Sequence, residues 1–141
     1  MAGAVATSFR IISILGLAWN LVGVAMFFLQ TGLDAGQIAA LPEAQRVVYD
    51  AMPSWLPVFY AIAVFGGLLG SAGLVLRRRW SIPLLAVSLA AVAVQMLALY
   101  LLTPAWQASG APGLAFSLLI VAIAAFLLAY ARRASARGWL R

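Results

Sequence analysis

Four long apolar runs, separated by shorter polar segments, dominate the chain. The runs cover approximately residues 11–30, 57–76, 82–102 and 113–131, and none of them contains a charged side chain. Each run has about 20 residues, the length that an α-helix needs to cross the hydrocarbon core of a bilayer. The pattern predicts an all-α integral membrane protein, a bundle of four antiparallel transmembrane helices. The first run is longer than a signal-peptide core and has no small-residue cleavage site after it, so we interpret it as a retained span.

Prolines, a serine and arginines mark the ends of these spans. The second span stops at residues 77–79, which are three arginines, and the fourth stops at Arg132 and Arg133. Ser81 is a candidate N-cap for the third span, and Pro83 falls in its first turn, where a missing N–H is tolerated. Pro104 is expected to end that span.

The segment between the first two spans, residues 31–56, is the longest polar stretch and contains all three acidic residues. Asp34 followed by Gln37 resembles a capping box, and Pro42 is a second helix start. We expect a short amphipathic helix from Pro42 to about Met52 that lies along the outer, periplasmic membrane surface. The segment is interpreted as an ordered connector, with a lid over a bound ligand as the sharper alternative.

Composition supports a single membrane domain over residues 1–141 and argues against an enzyme. The chain is 66% hydrophobic and 9% charged, with a mean hydropathy of +1.08, so lipid must replace water as the solvent for most of it. Cysteine, histidine and lysine are absent, which excludes the common zinc, haem and cysteine-nucleophile sites. We therefore predict no catalytic residue, no metal and no cofactor.

The arginines predict the orientation of the spans. Eight of the nine lie on the side that holds both termini, and only Arg46 lies on the other side. Arginines beside span ends stay in the cytoplasm, so both termini are expected there. The net charge of +6 is thereby explained without nucleic acid, since the basic side would face anionic lipid headgroups. The predicted interfacial anchors are Trp55, Trp80, Trp106, Trp139, Arg77, Arg78, Arg79, Arg132 and Arg133.

Few polar side chains are predicted to lie deep in the bilayer. Asn20 falls at the middle of the first span and Gln95 lies about 20 Å into the third, so the two could meet at similar depth. An amide–amide hydrogen bond between helices is the structural interpretation. The functional interpretation is a small-molecule site in which Trp19, Asn20 and Gln95 bind a neutral ligand.

Small residues form two candidate packing faces. The second span carries Gly66, Gly70 and Gly73, a small-xxx-small pattern that permits close approach of two helices. The first span offers Gly16 and Gly23 on the same face as Asn20. We expect these faces to pack the first span on the second, or one subunit on another.

Five segments stand out along the chain: AWNLVGVAMFFLQ, LPEAQRVVYDAMPSW, AVFGGLLGSAGLVLRRRWSIPLL, SLAAVAVQ and ARGWL. Together they resemble a family of small, four-span, largely uncharacterised bacterial inner-membrane proteins whose members are often labelled automatically as sugar transporters. The resemblance extends over nearly the whole chain. The resemblance implies a shared fold and a place in the bacterial inner membrane. The residues that it singles out are Trp19, Asn20, Glu43, Tyr49, Pro53, Trp55, Gly66, Gly67, Gly70, Arg77 and Gln95.

Two functions are compatible with these features. The first is a non-catalytic accessory or scaffold subunit that acts by helix packing within a larger membrane complex, with other membrane subunits or a second copy as partner. The alternative is a small transporter of a neutral, sugar-like solute. Since four closely packed helices leave little room for a solute path, we expect such a transporter to be a dimer.

Overall fold

The computed structural model describes residues 7–140, and this part of the chain is helical with no strand. Arg141, the last of the eight arginines on the basic side, lies outside it. Four helices are long and apolar enough to cross a membrane, which confirms the predicted all-α class and indicates a multi-pass membrane protein. The helices are α1 (Thr7–Thr31), α2 (Ala35–Ala39), α3 (Glu43–Ala51), α4 (Leu56–Val75), α5 (Ser81–Leu102) and α6 (Ala105–Ala136).

The helix that contains the fourth span, α6, starts earlier than the sequence suggests. It begins at Ala105, and its regular helical backbone is interrupted at Gly110. Gly110 has φ 63° and ψ −156°, a backbone conformation that is essentially confined to glycine. Pro112 follows in the first turn after the break, where it has no hydrogen bond to lose. The apolar part that could span a membrane is therefore Gly110–Ala136.

The segment between α1 and α4 forms two short helices, where the sequence predicted one. The capping box is present at α2: the Asp34 carboxylate accepts from the Gln37 N–H at 2.7 Å, and the Asp34 N–H donates to the Gln37 side chain at 2.9 Å. Pro42 is the N-cap of α3. This helix packs against α6, so the segment folds back over one end of the spans.

The order of packing separates the first span from the third. Helix α4 packs against both α1 and α5, while α5 packs in turn against α6. The second span therefore lies between the first and the third. Most of its buried residues are small, which is how one helix accommodates close neighbours on two sides.

The main apolar core lies at the end of the spans that carries the arginines. It is formed by Phe9, Leu74, Leu85, Leu127, Ala131, Ala134 and Leu140. The ring of Phe9 lies 6.0 Å from that of Tyr130 and 5.4 Å from that of Trp139. The start of α1 is thus packed against the end of α6 at this end of the bundle.

Helices α4 and α6 end at this core in the same type of turn, a Schellman motif. In α4 the Arg78 N–H donates to the Gly73 carbonyl at 2.8 Å, and in α6 the Trp139 N–H donates to the Ala134 carbonyl at 2.9 Å. The left-handed position is occupied by Gly138 (φ 75°) in α6 but by Arg77 (φ 60°) in α4. An arginine there costs about 1–2 kcal/mol relative to a right-handed backbone.

Ser81 does not cap α5 as predicted. The N-cap residue is Trp80, which makes no side-chain capping bond, and Ser81 is the first helical residue. Its side chain is fully buried beside Gly73, and its Oγ has no hydrogen-bond partner within residues 7–140.

Candidate functional site

Asn20 binds the second span, not the third. Its side-chain Nδ2 donates to the Gly16 carbonyl and to the Ser71 Oγ, both at 2.8 Å. An asparagine amide has two N–H donors, so this arrangement uses both. Asn20 thus makes an interhelical hydrogen bond, but to the Ser71 hydroxyl, whereas the structural interpretation expected an amide–amide bond to Gln95. The reason is the packing order, because α4 lies between α1 and α5.

The carbonyl side of the Asn20 amide lies against Gly67. A Cβ atom added to Gly67 would overlap Asn20 Oδ1 and would lie 3.1 Å from Asn20 Cγ and 3.2 Å from Ser88 Oγ. Ser88 in turn donates its hydroxyl to the Ala63 carbonyl at 2.6 Å. Two buried serines and one glycine therefore connect α1, α4 and α5 at the middle of the bundle.

The other glycines of α4 face α5, which differs from the expected packing on the first span. An added Cβ would lie 3.4 Å from Ser88 Cβ at Gly66, 2.7 Å from Leu85 Cγ at Gly70, and 2.9 Å from Ser81 Cβ at Gly73. In α1, an added Cβ at Gly16 would lie 2.9 Å from Leu127 Cδ2, and one at Gly23 would lie 3.6 Å from Val64 Cγ1. All five predicted packing glycines thus make contacts inside the chain, but with three different neighbouring helices.

Gln95 lines a partly open cavity of about 410 Å³ at the end of the spans covered by residues 31–56. We call it the loop-side cavity. Its uncharged polar lining is formed by Gln30, Thr31, Tyr49, Ser54, Tyr60 and Gln95, and its apolar lining includes Leu33, Ile38, Met52, Leu56 and Leu99. A pocket with apolar walls and a few convergent polar groups is typical of small-molecule sites, and its volume falls within their usual range of about 300–1,000 Å³.

Tyr49 ties the covering segment to the first span. Its hydroxyl donates to the Gln30 carbonyl at 3.1 Å, and burial raises the pKa of this phenol above its ordinary value of 10.0. The phenol therefore stays neutral at physiological pH. With Tyr49 neutral, every side chain named above for this cavity is uncharged.

The three residues of the predicted intramembrane site are not brought together. Trp19 is half-buried in α1 and, like Asn20, is not among the residues that line the loop-side cavity. Sequence reasoning also missed Ser71 and Ser88, the actual partners at the centre of the bundle. Their signal was present, since both are lone polar residues within apolar runs.

The predicted anchors divide into two groups. Trp55, Trp80 and Trp106 are exposed near helix ends, and so are Arg78, Arg79, Arg132 and Arg133. Trp139 is half-buried, with the Arg137 guanidinium 5.3 Å from its ring. Arg77 is also half-buried and donates from Nε to the Trp139 carbonyl at 2.9 Å. Trp139 and Arg77 thus lie at the basic end of the spans, but both make contacts within the protein.

Within residues 7–140, no three acidic side chains lie close enough to hold a metal ion.

The chain was also compared with known proteins. No protein-family model, curated protein or solved structure matches it.

Proposed function

We propose that the chain crosses a bacterial inner membrane as four antiparallel helices with both termini in the cytoplasm. Contacts between neighbouring helices support the antiparallel arrangement: along α1, Gly16 lies beside Ser71 and Gly23 beside Val64, so the two helices run in opposite directions. The same reversal holds for α4 and α5, with the pairs Gly66–Ser88 and Gly73–Ser81. The arginine asymmetry supports the orientation.

A labelling experiment tests this topology, since the chain has no cysteine of its own. Glu43→Cys and Ala136→Cys each place one thiol at an exposed position near opposite ends of the spans. A membrane-impermeant maleimide should label residue 43 in intact spheroplasts and residue 136 only after permeabilisation. The reverse pattern, or equal labelling of both, contradicts the proposal.

The function that the geometry supports best is that of a non-catalytic accessory or scaffold subunit, which binds a partner membrane protein through the outer face of α1. The observation that carries it is the sparse packing of this helix. Only 11% of the residues in its most apolar stretch are buried, the lowest share of the four spans, against 17% for the span in α6 and 33% for α4 and for α5. Its three buried residues, Phe9, Ser13 and Gly16, all lie in its first half. The second half contacts α4 on one side, through Gly23 and Phe27, and is exposed on the other.

The free face of α1 has a spacing suited to another helix. Six of its exposed residues recur at intervals of four and three, the spacing of the seam of a left-handed helix pair, and they include two small residues seven apart. These residues are Ile11, Leu15, Ala18, Val22, Ala25 and Leu29. Meanwhile Asn20, Ser71 and Ser88 are already bonded inside the chain, so the centre of the bundle offers little to a solute.

The test is the native mass of the protein extracted from its own membrane in mild detergent. A stoichiometric partner, or a second copy, should accompany the wild-type chain, and Ala18→Leu or Ala25→Leu should displace it by adding bulk to the seam. Ala90→Leu is the matched control, an exposed alanine on α5. A lone wild-type monomer would overturn the accessory function, as would retention of the partner by both α1 variants.

Binding or transport of a neutral, sugar-like solute is the second candidate, favoured by one specific observation. Residues 31–56 cover the loop-side cavity, as expected of a ligand lid, and Gln95 contributes its amide to the lining. Amides and hydroxyls suit a ligand with hydroxyl groups, while the apolar walls suit its carbon skeleton. As the cavity is not lined by Asn20, a transport path would require a rearrangement or a second copy.

Thermal unfolding in detergent with glucose, galactose or xylose tests this second candidate. A sugar that binds the folded state should raise the unfolding midpoint, and Gln95→Leu should remove the increase. Gln107→Leu is the matched control because Gln107 is an exposed amide outside the cavity. No increase with any of the three sugars, or the same increase in Gln95→Leu, counts against a sugar site here.

A further inference from the structure

A second cavity, of about 270 Å³, lies between the first turns of α1 and the end of α4. We call it the arginine-side cavity. It is lined by Phe9, Arg10, Ser13, Ile14, Val75 and Arg77. Among residues 7–140, Arg10 and Arg77 are its only charged lining residues. The Ser13 hydroxyl is already committed, because it donates to the Phe9 carbonyl at 2.7 Å.

The two arginines have no acidic side chain of the chain beside them. All three acidic residues lie in the segment between α1 and α4, at the far end of the spans. The positive charge of this cavity is therefore not offset by an aspartate or glutamate. A partly open cavity of this kind favours an anionic ligand.

Arg77 is held in place by the backbone and by its own side chain. It occupies the left-handed position of the α4 Schellman turn, where glycine is ordinarily favoured, and its Nε donates to the Trp139 carbonyl at 2.9 Å. A guanidinium has five N–H donors, so four remain for a ligand. A strained residue that is fixed by a second contact is more often found at binding sites than elsewhere.

Of the three apolar lining residues, Phe9 is buried in the core, whereas Ile14 and Val75 are exposed on the outside of the helices. Ile14 is 57% exposed and Val75 is 39% exposed, and both belong to helices that could span the bilayer. A ligand here would therefore meet arginines at headgroup level and hydrocarbon below them. This is the polarity profile of a phospholipid, whereas a free phosphate would use the arginines alone.

We propose that the arginine-side cavity binds one anionic phospholipid of the cytoplasmic leaflet. Arg10 and Arg77 donate hydrogen bonds to its phosphate, for which the planar guanidinium is well suited. Ile14 and Val75 contact the start of an acyl chain. The proposal rests on the bilayer placement of the spans given above, and it does not depend on the accessory function.

Native mass spectrometry of the purified chain, titrated with phosphatidylglycerol, phosphatidylcholine or inorganic phosphate, tests the site. Phosphatidylglycerol should bind in preference to the other two. Arg10→Gln and Arg77→Gly should each weaken its binding about tenfold, as expected for the loss of one charged hydrogen bond. Arg79→Gln and Arg132→Gln are the matched controls, because each removes one exposed arginine from the same end without touching the cavity.

The substitutions are chosen to leave the fold intact. Arg10 is exposed, and glycine suits the left-handed backbone at position 77. If Arg77→Gly nevertheless fails to fold, Arg10→Gln decides alone. If all four variants lose phosphatidylglycerol binding equally, the effect comes from general surface charge and the site is overturned. If none of them loses binding, the site is overturned as well. Equal binding of inorganic phosphate, or competition by it, would overturn the choice of a lipid.

Discussion

The contact between Gly67 and Asn20 offers the sharpest test of how the bundle is held together. Gly67→Ala places a Cβ where Asn20 Oδ1 now lies, so the amide must move. Movement breaks the 2.8 Å bond from its Nδ2 to Ser71. The added Cβ would also lie 3.2 Å from Ser88 Oγ, the hydroxyl that donates to the Ala63 carbonyl. A single methyl group would thus disturb both interfaces of α4.

The expected cost follows from three contributions. A lost interhelical hydrogen bond in a membrane protein is worth about 0.6 kcal/mol and at most about 1.7 kcal/mol. Overpacking of a well-filled site typically costs about 1–3 kcal/mol. Alanine recovers up to about 1 kcal/mol relative to glycine through helix propensity. We therefore expect Gly67→Ala to lower the free energy of unfolding by about 1–3 kcal/mol.

Unfolding by sodium dodecyl sulfate, followed by circular dichroism, measures this change. Gly23→Ala is the matched control on the same interface, since its Cβ would lie at an ordinary contact distance of 3.6 Å from Val64. That variant should be as stable as the wild type or slightly more stable. In an Asn20→Ala background the space beside Gly67 is free, so Gly67→Ala should lose most of its cost there.

A double-mutant cycle therefore tests whether Asn20 and Gly67 are energetically coupled. A coupling of about 1 kcal/mol or more between positions 20 and 67 is expected. Additive effects of the two substitutions would show that Asn20 and Gly67 do not share the contact. A Gly67→Ala variant as stable as the wild type would refute the reasoning outright.

Three further predictions concern other positions. Gly70→Leu should lower stability by about 3 kcal/mol, because even its Cβ would lie 3.2 Å from the backbone nitrogen of Leu85; an unchanged thermal midpoint contradicts this. Ser81→Ala should raise the free energy of unfolding by about 1 kcal/mol in the same detergent titration, since it removes a buried hydroxyl that lacks a partner within residues 7–140, and a loss of stability would show that the hydroxyl is in fact bonded. Burial raises the pKa of Tyr49 in the folded state, so the stability from its neutral phenol persists below pH 10 and is lost as the pH rises above it. Unfolding midpoints measured up to about pH 11 should therefore fall less in Tyr49→Phe than in the wild type, and equal falls would exclude this phenol as a cause.

Local features of the fold could be predicted because they depend on neighbours in sequence. The α2 capping box needs only Asp34 and Gln37, three residues apart, and the α3 start needs only Pro42. The four apolar helices follow from composition over about 20 residues. None of these features requires knowledge of which helices touch.

The arrangement of the candidate site, in contrast, depends on which helices touch. Depth along a span placed Asn20 and Gln95 at similar heights, yet height says nothing about the order of helices around the bundle. Once α4 lies between α1 and α5, Asn20 reaches Ser71 and Gln95 faces the loop-side cavity. For the same reason the sequence left open which neighbour Gly66 and Gly70 contact, and the structure places α5 beside both.

The conformation of Arg77 had no recognisable signal. Helices commonly have a glycine directly after the C-cap residue, as α6 has Gly138 after Arg137, whereas α4 runs into three arginines. A stop formed by charged residues indicates where hydrocarbon ends. It does not reveal that Arg77 adopts a left-handed backbone conformation. The hydrogen bond that fixes its side chain is accepted by the Trp139 carbonyl, which is distant in sequence.

The bond from Arg77 to the Trp139 carbonyl also bears on how the protein is made. The two residues are 62 positions apart, so at about 5–20 residues per second the acceptor is synthesised about 3–12 s after the donor. During that interval α5 and α6 enter the membrane while the end of α4 lacks its partner. The basic end of the bundle is therefore the last part to close during biosynthesis, and quality-control proteases on that side would meet an open α4 turn in any chain that stalls before Trp139.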